Sequence, residues 1–140
     1  ALDLSPDALS IARQNAANLG ADNIRFIHSD WFAALPSSEC FELIVSNPPY
    51  IAGGDPHLTQ GDVRFEPLLA LASGPDGLDA IRRIVREAPG RLNPGGWLLF
   101  EHGFDQAEAA RELLDKAGFE EVASFADLQG HGRVSGGHKP

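Results

Sequence analysis

The sequence has little cysteine, few basic residues and no long apolar run. Its single cysteine, Cys40, excludes an intrachain disulfide, a zinc cluster and a CxxC redox pair. Eleven basic against twenty acidic residues give a net charge of −9, which repels a polyphosphate chain and disfavours nucleic acid as the direct substrate. No apolar stretch approaches the roughly 20 residues needed to cross a bilayer, and nothing resembles a signal peptide. The expectation is a cytoplasmic protein without a membrane partner.

The composition that remains is typical of a soluble globular domain. The 140 residues are 43% hydrophobic and 22% charged, which is enough to bury a core. The first four residues, ALDL, are apolar apart from Asp3 and have the pattern of a strand end with no polar segment before it. We therefore expect residues 1–140 to be the carboxyl-terminal portion of a single domain whose amino-terminal part is missing.

Local signals place helices and strands along the chain. Ser5, Pro6 and Asp7 predict a helix start and Gly20 a stop, so the first helix is predicted over residues 6–19. Further helices are predicted at residues 78–88 and 105–117, with a helical turn at 31–35. Strands are predicted at the amino terminus and at residues 24–28, 41–45, 97–100, 121–125 and 133–135. This alternation predicts an α/β three-layer sandwich with a mostly parallel sheet.

Polar side chains follow three of the predicted strands. Asp3, Asp30 and Asn47 each stand where a strand ends, and parallel α/β sheets bind ligands outside the carboxyl ends of their strands. Each also has a purely structural interpretation: Asp3 as part of a loop, Asp30 as a cap of the following turn, and Asn47 as a strand end. Their occurrence together at consecutive strand ends favours a site.

The two acidic residues suit an adenosine-containing cofactor. A carboxylate at the end of such a strand, here Asp3, can accept hydrogen bonds from both ribose hydroxyls. Asp30 can accept from the exocyclic amine of a purine, and Trp31 can supply an apolar wall beside the ring.

The stretch SNPPY, residues 46–50, suits the other half of a reaction. Pro48 and Pro49 have a fixed φ and no N–H, so nearby carbonyls stay free of ladder bonds. The Asn47 side-chain oxygen and the Pro48 carbonyl can then each accept one hydrogen of a substrate NH₂ group, while Tyr50 stacks on the attached planar group. Such a site makes the nitrogen a nucleophile by orientation and electrostatics, with no charged nucleophile of its own.

These motifs carry a family resemblance. The stretch ELIVSNPPYI, followed by DPHLTQGDVRFEPLLAL, resembles the HemK/PrmC family, the N5-glutamine methyltransferases of peptide chain release factors. SDWFAAL, GGWLLFEHGFDQ and DLQGHGRVSGG agree with that family in the same order. The resemblance implies a Rossmann-like class I methyltransferase fold, S-adenosyl-L-methionine as cofactor and release factors as protein substrates.

The resemblance also implies roles for individual residues. The expected catalytic residues are Asn47, Pro48 and Tyr50. The expected substrate-binding residues are Asn47, Pro48, Pro49, Tyr50, Arg64, Phe65 and Glu66. The expected cofactor-binding residues are Asp3, Asp30, Trp31 and Asn47.

For residues 64–66 a loop pinned by a salt bridge and a buried ring is an equal alternative, and for residues 101–103 (EHG) a structural strand end is favoured. Residues 51–67 form a long polar stretch that is a candidate lid or substrate wall.

The chain departs from the family at its front. The family's catalytic domain begins with a strand and a glycine-rich loop, preceded by a helical domain, and this chain contains neither. Without that strand we expect the sheet either to split into a two-stranded piece and a larger piece from Phe41 onward, or to close the gap. Two other functions stay open: amino-methylation of nucleic acid at adenine N6, and a non-catalytic α/β fragment or binding module.

Overall fold

The structure, a computed structural model, describes residues 1–59, 65 and 67–140. The chain divides into two compact units, Ala1–Glu39 and Cys40–Pro140. Within the described ranges, no helix combines the length and the apolarity that a membrane span requires.

The first unit contains two short strands and one helix: β1 (Leu2–Asp3), α1 (Pro6–Asn18) and β2 (Ile27–His28). The predicted start of α1 is confirmed, because the Ser5 side chain accepts a hydrogen bond from the backbone N–H of Ala8 at 3.2 Å. Its end is also confirmed within one residue, since Gly20 takes the left-handed conformation with φ 66°.

Strands β1 and β2 are parallel, so Asp3 and His28 are paired at the same end of this two-stranded sheet. The predicted strand over residues 24–28 is found only at Ile27–His28, because β1 presents just two residues as ladder partners. The apolar core of the first unit is formed by Leu9, Ala16, Phe32 and Leu35.

The second unit holds the remaining elements. Its strands are β3 (Phe41–Ser46), β4 (Leu92–Glu101), β5 (Glu120–Ala126) and β6 (Gly132–His138). Its α-helices are α2 (Leu68–Leu71), α3 (Asp79–Glu87) and α4 (Ala107–Lys116), and 3₁₀ turns occupy Pro56–Thr59 and Ala88–Arg91. The sequence pattern predicted neither helix α2 nor the Pro56–Thr59 turn, because each is only four residues long and is too short to show a helical period.

The sheet of the second unit has the order β3-β4-β6-β5. Strands β3 and β4 are parallel, as expected for strands joined through helices. The expectation of a mostly parallel sheet is wrong here, since β6 runs antiparallel to both β4 and β5. The cause is the short turn after β5, closed by the N–H of Asp127 donating to the oxygen of His131, which sends β6 straight back. The described strands thus form two separate sheets, the first of the two expected outcomes.

Strand β4 is longer than the strand predicted at residues 97–100, because it begins at Leu92 and includes residues 93–96. Phe41 pairs with Leu92 and Leu43 with Trp97, so the NPGG segment bulges out between two paired stretches. Beyond the bulge, Leu98 and Phe100 are fully buried. They form the core of the second unit together with residues of the two long helices: Ile81, Ile84, Val85, Ala110 and Leu114.

Candidate functional site

The segment Asn47–Tyr50 leaves β3 directly after Ser46, at the carboxyl end of that strand. Asn47 is exposed and Pro48 is buried. Within the ranges that the structure describes, the Asn47 side chain makes no hydrogen bond and the Pro48 carbonyl accepts none. A polar backbone group at a buried residue is rarely left unpaired in a folded protein. The strand exit therefore holds two adjacent acceptors that are available to a ligand.

Tyr50 is half-buried, and its ring is tied to the end of β4. The hydroxyl donates a hydrogen bond to Oε1 of Glu101 at 2.9 Å. Burial raises the pKa of the Tyr50 hydroxyl, and the Glu101 carboxylate raises it further, while the charge of Arg133 acts in the opposite direction. The side chain is consequently a neutral phenol at physiological pH, with an apolar face suited to a planar group.

The backbone of Tyr50 is held by a second residue, Gln106. Its Nε2 donates to the Tyr50 oxygen at 3.0 Å and to the Asp76 oxygen at 3.2 Å. Its Oε1 accepts from the N–H of Gly103 at 2.8 Å. One amide group thus joins the end of the SNPPY stretch to two other loops.

A buried polar chain stands behind the end of β4. His102 is fully buried, with Nδ1 2.8 Å from the oxygen of Gly103 and Nε2 2.8 Å from Oγ of Ser135. Ser135 Oγ lies 2.7 Å from Oγ of Ser124, which in turn accepts from Nη1 of Arg111 at 2.9 Å. A carbonyl can only accept, so Nδ1 carries a hydrogen. With a neutral imidazole, Arg111, Ser124, Ser135 and His102 each donate to the next group, and the Gly103 oxygen accepts the last hydrogen bond.

Asp3 stands at the end of β1 in the first unit and is exposed. Its Oδ1 accepts from the N–H of Ser5 at 2.7 Å, a local turn bond that orients the carboxylate. Oδ2 has no hydrogen-bond partner among the described residues. Oδ1 therefore has the structural role of an acid in the loop leading into α1, and Oδ2 is available to a ligand.

Asp30 and Trp31 follow β2 at the same end of the two-stranded sheet as Asp3. Trp31 has φ 52°, a left-handed conformation that costs a bulky residue energy and is often associated with functional sites. Ser29 holds it there, because its hydroxyl donates to the Trp31 oxygen at 2.6 Å and accepts from the N–H of Ala34 at 3.0 Å. The N–H of Ala33 donates to the Asp30 oxygen at 3.1 Å. The first unit thus brings Asp3, Asp30 and Trp31 to one edge.

Of the three residues expected to shape the substrate side, Phe65 is exposed. Arg64 and Glu66 lie outside the described residues, as does part of the stretch expected to form a lid or wall. The buried ring that the structural alternative assumed for this loop is not found at Phe65.

Three residues that contact Tyr50 were missed as parts of the site. The EHG stretch at 101–103 was interpreted as a structural strand end. Gln106 fell at the start of the helix predicted over residues 105–117, and Gly77 was given no role in the site. A glutamine just before a helix and a glycine in a PDG turn are common local signals. The sequence has no feature that connects them to a tyrosine so far away along the chain.

The strand ends of both units carry polar side chains of the kind with which α/β proteins bind ligands. The sequence profile of a family described as methyltransferase domain matches residues 1–115. The chain therefore belongs to the methyltransferase domain family.

Relatives of higher sequence identity indicate which kind of methyltransferase the chain resembles. A release factor glutamine methyltransferase from Bordetella pertussis is 56% identical over 138 residues, which are 99% of this chain and 51% of the relative. A protein of the same name from Xylella fastidiosa is 54% identical over 140 residues, 100% of this chain and 50% of the relative. The resemblance found in the motifs is confirmed. The chain spans about half the length of the curated relatives it matches.

Solved structures support the fold. A methyltransferase from Pyrococcus furiosus superposes with a TM-score of 0.70, at 21% identity, covering 99% of this chain and 61% of that one. At that identity the likeness concerns the fold alone. The predicted Rossmann-like α/β methyltransferase fold is confirmed.

Proposed function

We propose that the full-length protein containing this chain transfers a methyl group from S-adenosyl-L-methionine to the side-chain amide nitrogen of a glutamine in a peptide chain release factor. Residues 1–140 are then the carboxyl-terminal portion of a single catalytic domain. Relatives above 50% identity that bear this activity as their name support the proposal.

One observation carries the assignment of the substrate. The two oxygen acceptors at Asn47 and Pro48 have no partner among the described residues, although the segment around them is held firmly through Tyr50. A primary amide has two hydrogens on one nitrogen, and two adjacent acceptors match that pattern. A hydroxyl substrate would use only one of them.

The roles of the chain's residues follow from this match. Asn47 and Pro48 hold both hydrogens of the substrate amide, which sets its rotation and favours lone-pair character on the nitrogen. Tyr50 packs its ring against the amide plane, and Pro49 keeps the backbone between them rigid. Phe65 is proposed as a substrate-binding residue, as are Arg64 and Glu66, which lie outside the described residues. No residue of the chain acts as a covalent nucleophile in this scheme.

The residues of the first unit fit the adenosine half of the cofactor. Asp3 offers a carboxylate oxygen to the ribose hydroxyls, Asp30 an acceptor to the adenine amine, and Trp31 a half-buried indole to the ring. Asn47 of the second unit is proposed as a further cofactor-binding residue on the family resemblance. When bound, S-adenosyl-L-methionine supplies the electrophilic methyl group. Calorimetry with S-adenosylhomocysteine tests the assignment: Asp3→Ala should weaken binding at least tenfold, whereas Asp22→Ala, an exposed acid away from strand ends, should not.

A protein substrate also determines the expected partners. Release factors act in translation, so we place the full-length protein in the cytoplasm, with no membrane partner. The net charge of −9 disfavours a nucleic-acid substrate.

The activity is tested by incubating the full-length protein with methyl-labelled cofactor, a purified release factor and adenine-containing duplex DNA in one reaction. Label on a glutamine of the release factor, located by mass spectrometry, is the expected result. The Asn47→Ala variant is the matched negative control. Label on adenine would instead support the nucleic-acid alternative, and label on neither would leave the binding-module alternative.

A further inference from the structure

Glu101 is the last residue of β4, and its side chain is half-buried. Its backbone is paired with Val134 across the antiparallel β4–β6 ladder. Its carboxylate accepts the hydroxyl hydrogen of Tyr50 at 2.9 Å. These two residues are 51 positions apart in the chain, so the bond joins the exit of β3 to the end of the neighbouring parallel strand.

The backbone on both sides of Glu101 is immobilised. On one side Phe100 is fully buried. On the other, the N–H of His102 donates to the oxygen of Arg133 at 2.9 Å, and both imidazole nitrogens are hydrogen-bonded. Glu101 therefore presents its carboxylate from a rigid frame, and the frame does not depend on Tyr50.

Tyr50, in contrast, has a backbone that is held independently of its hydroxyl. The Tyr50 oxygen is held by Gln106, and the N–H of Ile51 donates to the oxygen of Leu71 at 2.9 Å. Rotation about the Cα–Cβ bond moves a tyrosine ring among three staggered rotamers and carries the hydroxyl with it. The hydrogen bond at the far end of the ring selects one of these positions.

We propose that Glu101 is a positioning residue that fixes the Cα–Cβ rotamer of Tyr50 and thereby the position of the ring against which the substrate amide lies. This inference rests on the proposed function for the identity of the substrate. The hydrogen bond between Glu101 and Tyr50 does not depend on that function. Glu101 and Arg133 are the charged groups that act on the Tyr50 hydroxyl, and Arg133 also faces Asp127, with Nε 3.7 Å from Oδ2.

The contact is tested without any methyl transfer. Tyr50 is the only tyrosine of the chain, so a ¹³Cζ-tyrosine label gives one NMR signal from these residues, which Tyr50→Phe identifies in the full-length protein. We expect the pKa of Tyr50 to fall in Glu101→Gln, which loses the charge, and to fall further in Glu101→Ala, which also loses the acceptor. Glu108→Gln, an exposed glutamate of α4, is the matched control and should leave it unchanged. An unchanged pKa in both Glu101 variants would overturn the proposal.

The positioning role is tested by kinetics on the full-length protein. Glu101→Ala should lower kcat about tenfold to 100-fold with an unchanged KM for the cofactor, since a small misplacement of a reacting group has effects of this size. Glu101→Gln retains an acceptor and should recover most of the rate. In a Tyr50→Phe background, Glu101→Ala should have no further effect.

Two results distinguish a positioning role of Glu101 from a purely structural role and from a failure of the proposed function. If Glu101→Ala lowers kcat by the same factor in the unmodified protein and in the Tyr50→Phe variant, Glu101 acts structurally. A thermal melt would then show a lower melting temperature for Glu101→Ala. Absence of glutamine methylation in the unmodified protein would refute the proposed function, while the tyrosine titration would still decide whether Glu101 holds Tyr50. If Glu101→Ala does not fold, the tyrosine titration of Glu101→Gln decides whether the Glu101 carboxylate acts on Tyr50.

Discussion

Gly77 lies directly against the backbone of Tyr50: a β-carbon built on this glycine would be 2.3 Å from the Tyr50 oxygen and 2.7 Å from Nε2 of Gln106. Gly77 also has φ 77°. The turn before α3 and the exit of β3 are therefore compatible only if residue 77 has no side chain. The identity of this glycine is determined by the segment it touches as well as by its own conformation.

Gly77→Ala should destabilise the protein more than Gly95→Ala. Both glycines have φ close to 76°, so both alanines carry the left-handed penalty of about 1–2 kcal/mol. Nothing lies within 4 Å of the β-carbon position at Gly95, whereas at Gly77 the clash adds to the penalty and displaces Tyr50. Urea denaturation measures the two losses, and kcat of the full-length protein should fall only for Gly77→Ala. Equal losses would show that the contact with Tyr50 relaxes without cost.

Asn47→Ala should lower kcat of the full-length protein by about 10²-fold or more, because the loss of one preorganised group in such a site typically has this effect. Cofactor affinity, measured by calorimetry, should change little. Asn23→Ala, an exposed asparagine of the first unit, is the control. Near-normal turnover of Asn47→Ala would refute the assigned role.

Ser135→Ala should destabilise the folded state by about 1–3 kcal/mol, the usual effect of leaving a buried polar group without its partner. The variant removes the hydroxyl that donates to Nε2 of the fully buried His102. Ser38→Ala at an exposed position should be close to neutral. Denaturant unfolding of the two variants measures the difference, and a loss below about 0.5 kcal/mol would mean that the buried chain rearranges.

Stability should fall in acid through Asp76. Hydrogen bonds from Arg82 lower the pKa of this carboxyl from 3.8 to about 2. A lowered pKa in the folded state contributes stability above the ordinary pKa, and that contribution is lost as the pH falls from about 4 to about 2. Asp76→Asn should therefore have a flatter stability curve in this window. Because Asp76 and Arg82 are both exposed, the difference should shrink at high salt. Asp115→Asn is the control variant. If the curves of stability against pH are parallel for Asp76→Asn and Asp115→Asn, the expectation is wrong.

Much of the fold follows from local signals. The Ser5 cap, the proline after it and the glycine at 20 determine α1 because each acts on its own few residues. The apolar run into SNPPY likewise locates β3. The motif at residues 46–50 also indicated the family, because a rigid double proline between an amide and an aromatic residue suits few kinds of site.

The parts that could not be predicted depend on distant partners. Strand β6 inserts between β4 and β5, and no short pattern specifies that neighbour. The bulge at 93–96 exists only because β3 pairs on both sides of it. Glu101 and Gln106 reach Tyr50 across 51 and 56 positions. Trp31 takes a left-handed backbone that its side chain disfavours, and the surrounding Ser29 bonds, not its own identity, maintain it.

The unequal lengths of the strands have a consequence for hydrogen exchange. Strands β1 and β2 contain two residues each, whereas β4 contains ten and has a partner on both sides. Amides in short, two-stranded ladders exchange through low-energy local openings, while those of a central strand need nearly global unfolding. Among the ladder amides, those of Ile27 and Ser29, which donate to the oxygens of Ala1 and Asp3, should thus exchange first and those of Leu98 and Phe100 last. The carboxylates proposed for the cofactor then belong to the most readily opened unit, and bound S-adenosylhomocysteine should slow exchange there far more than in β4.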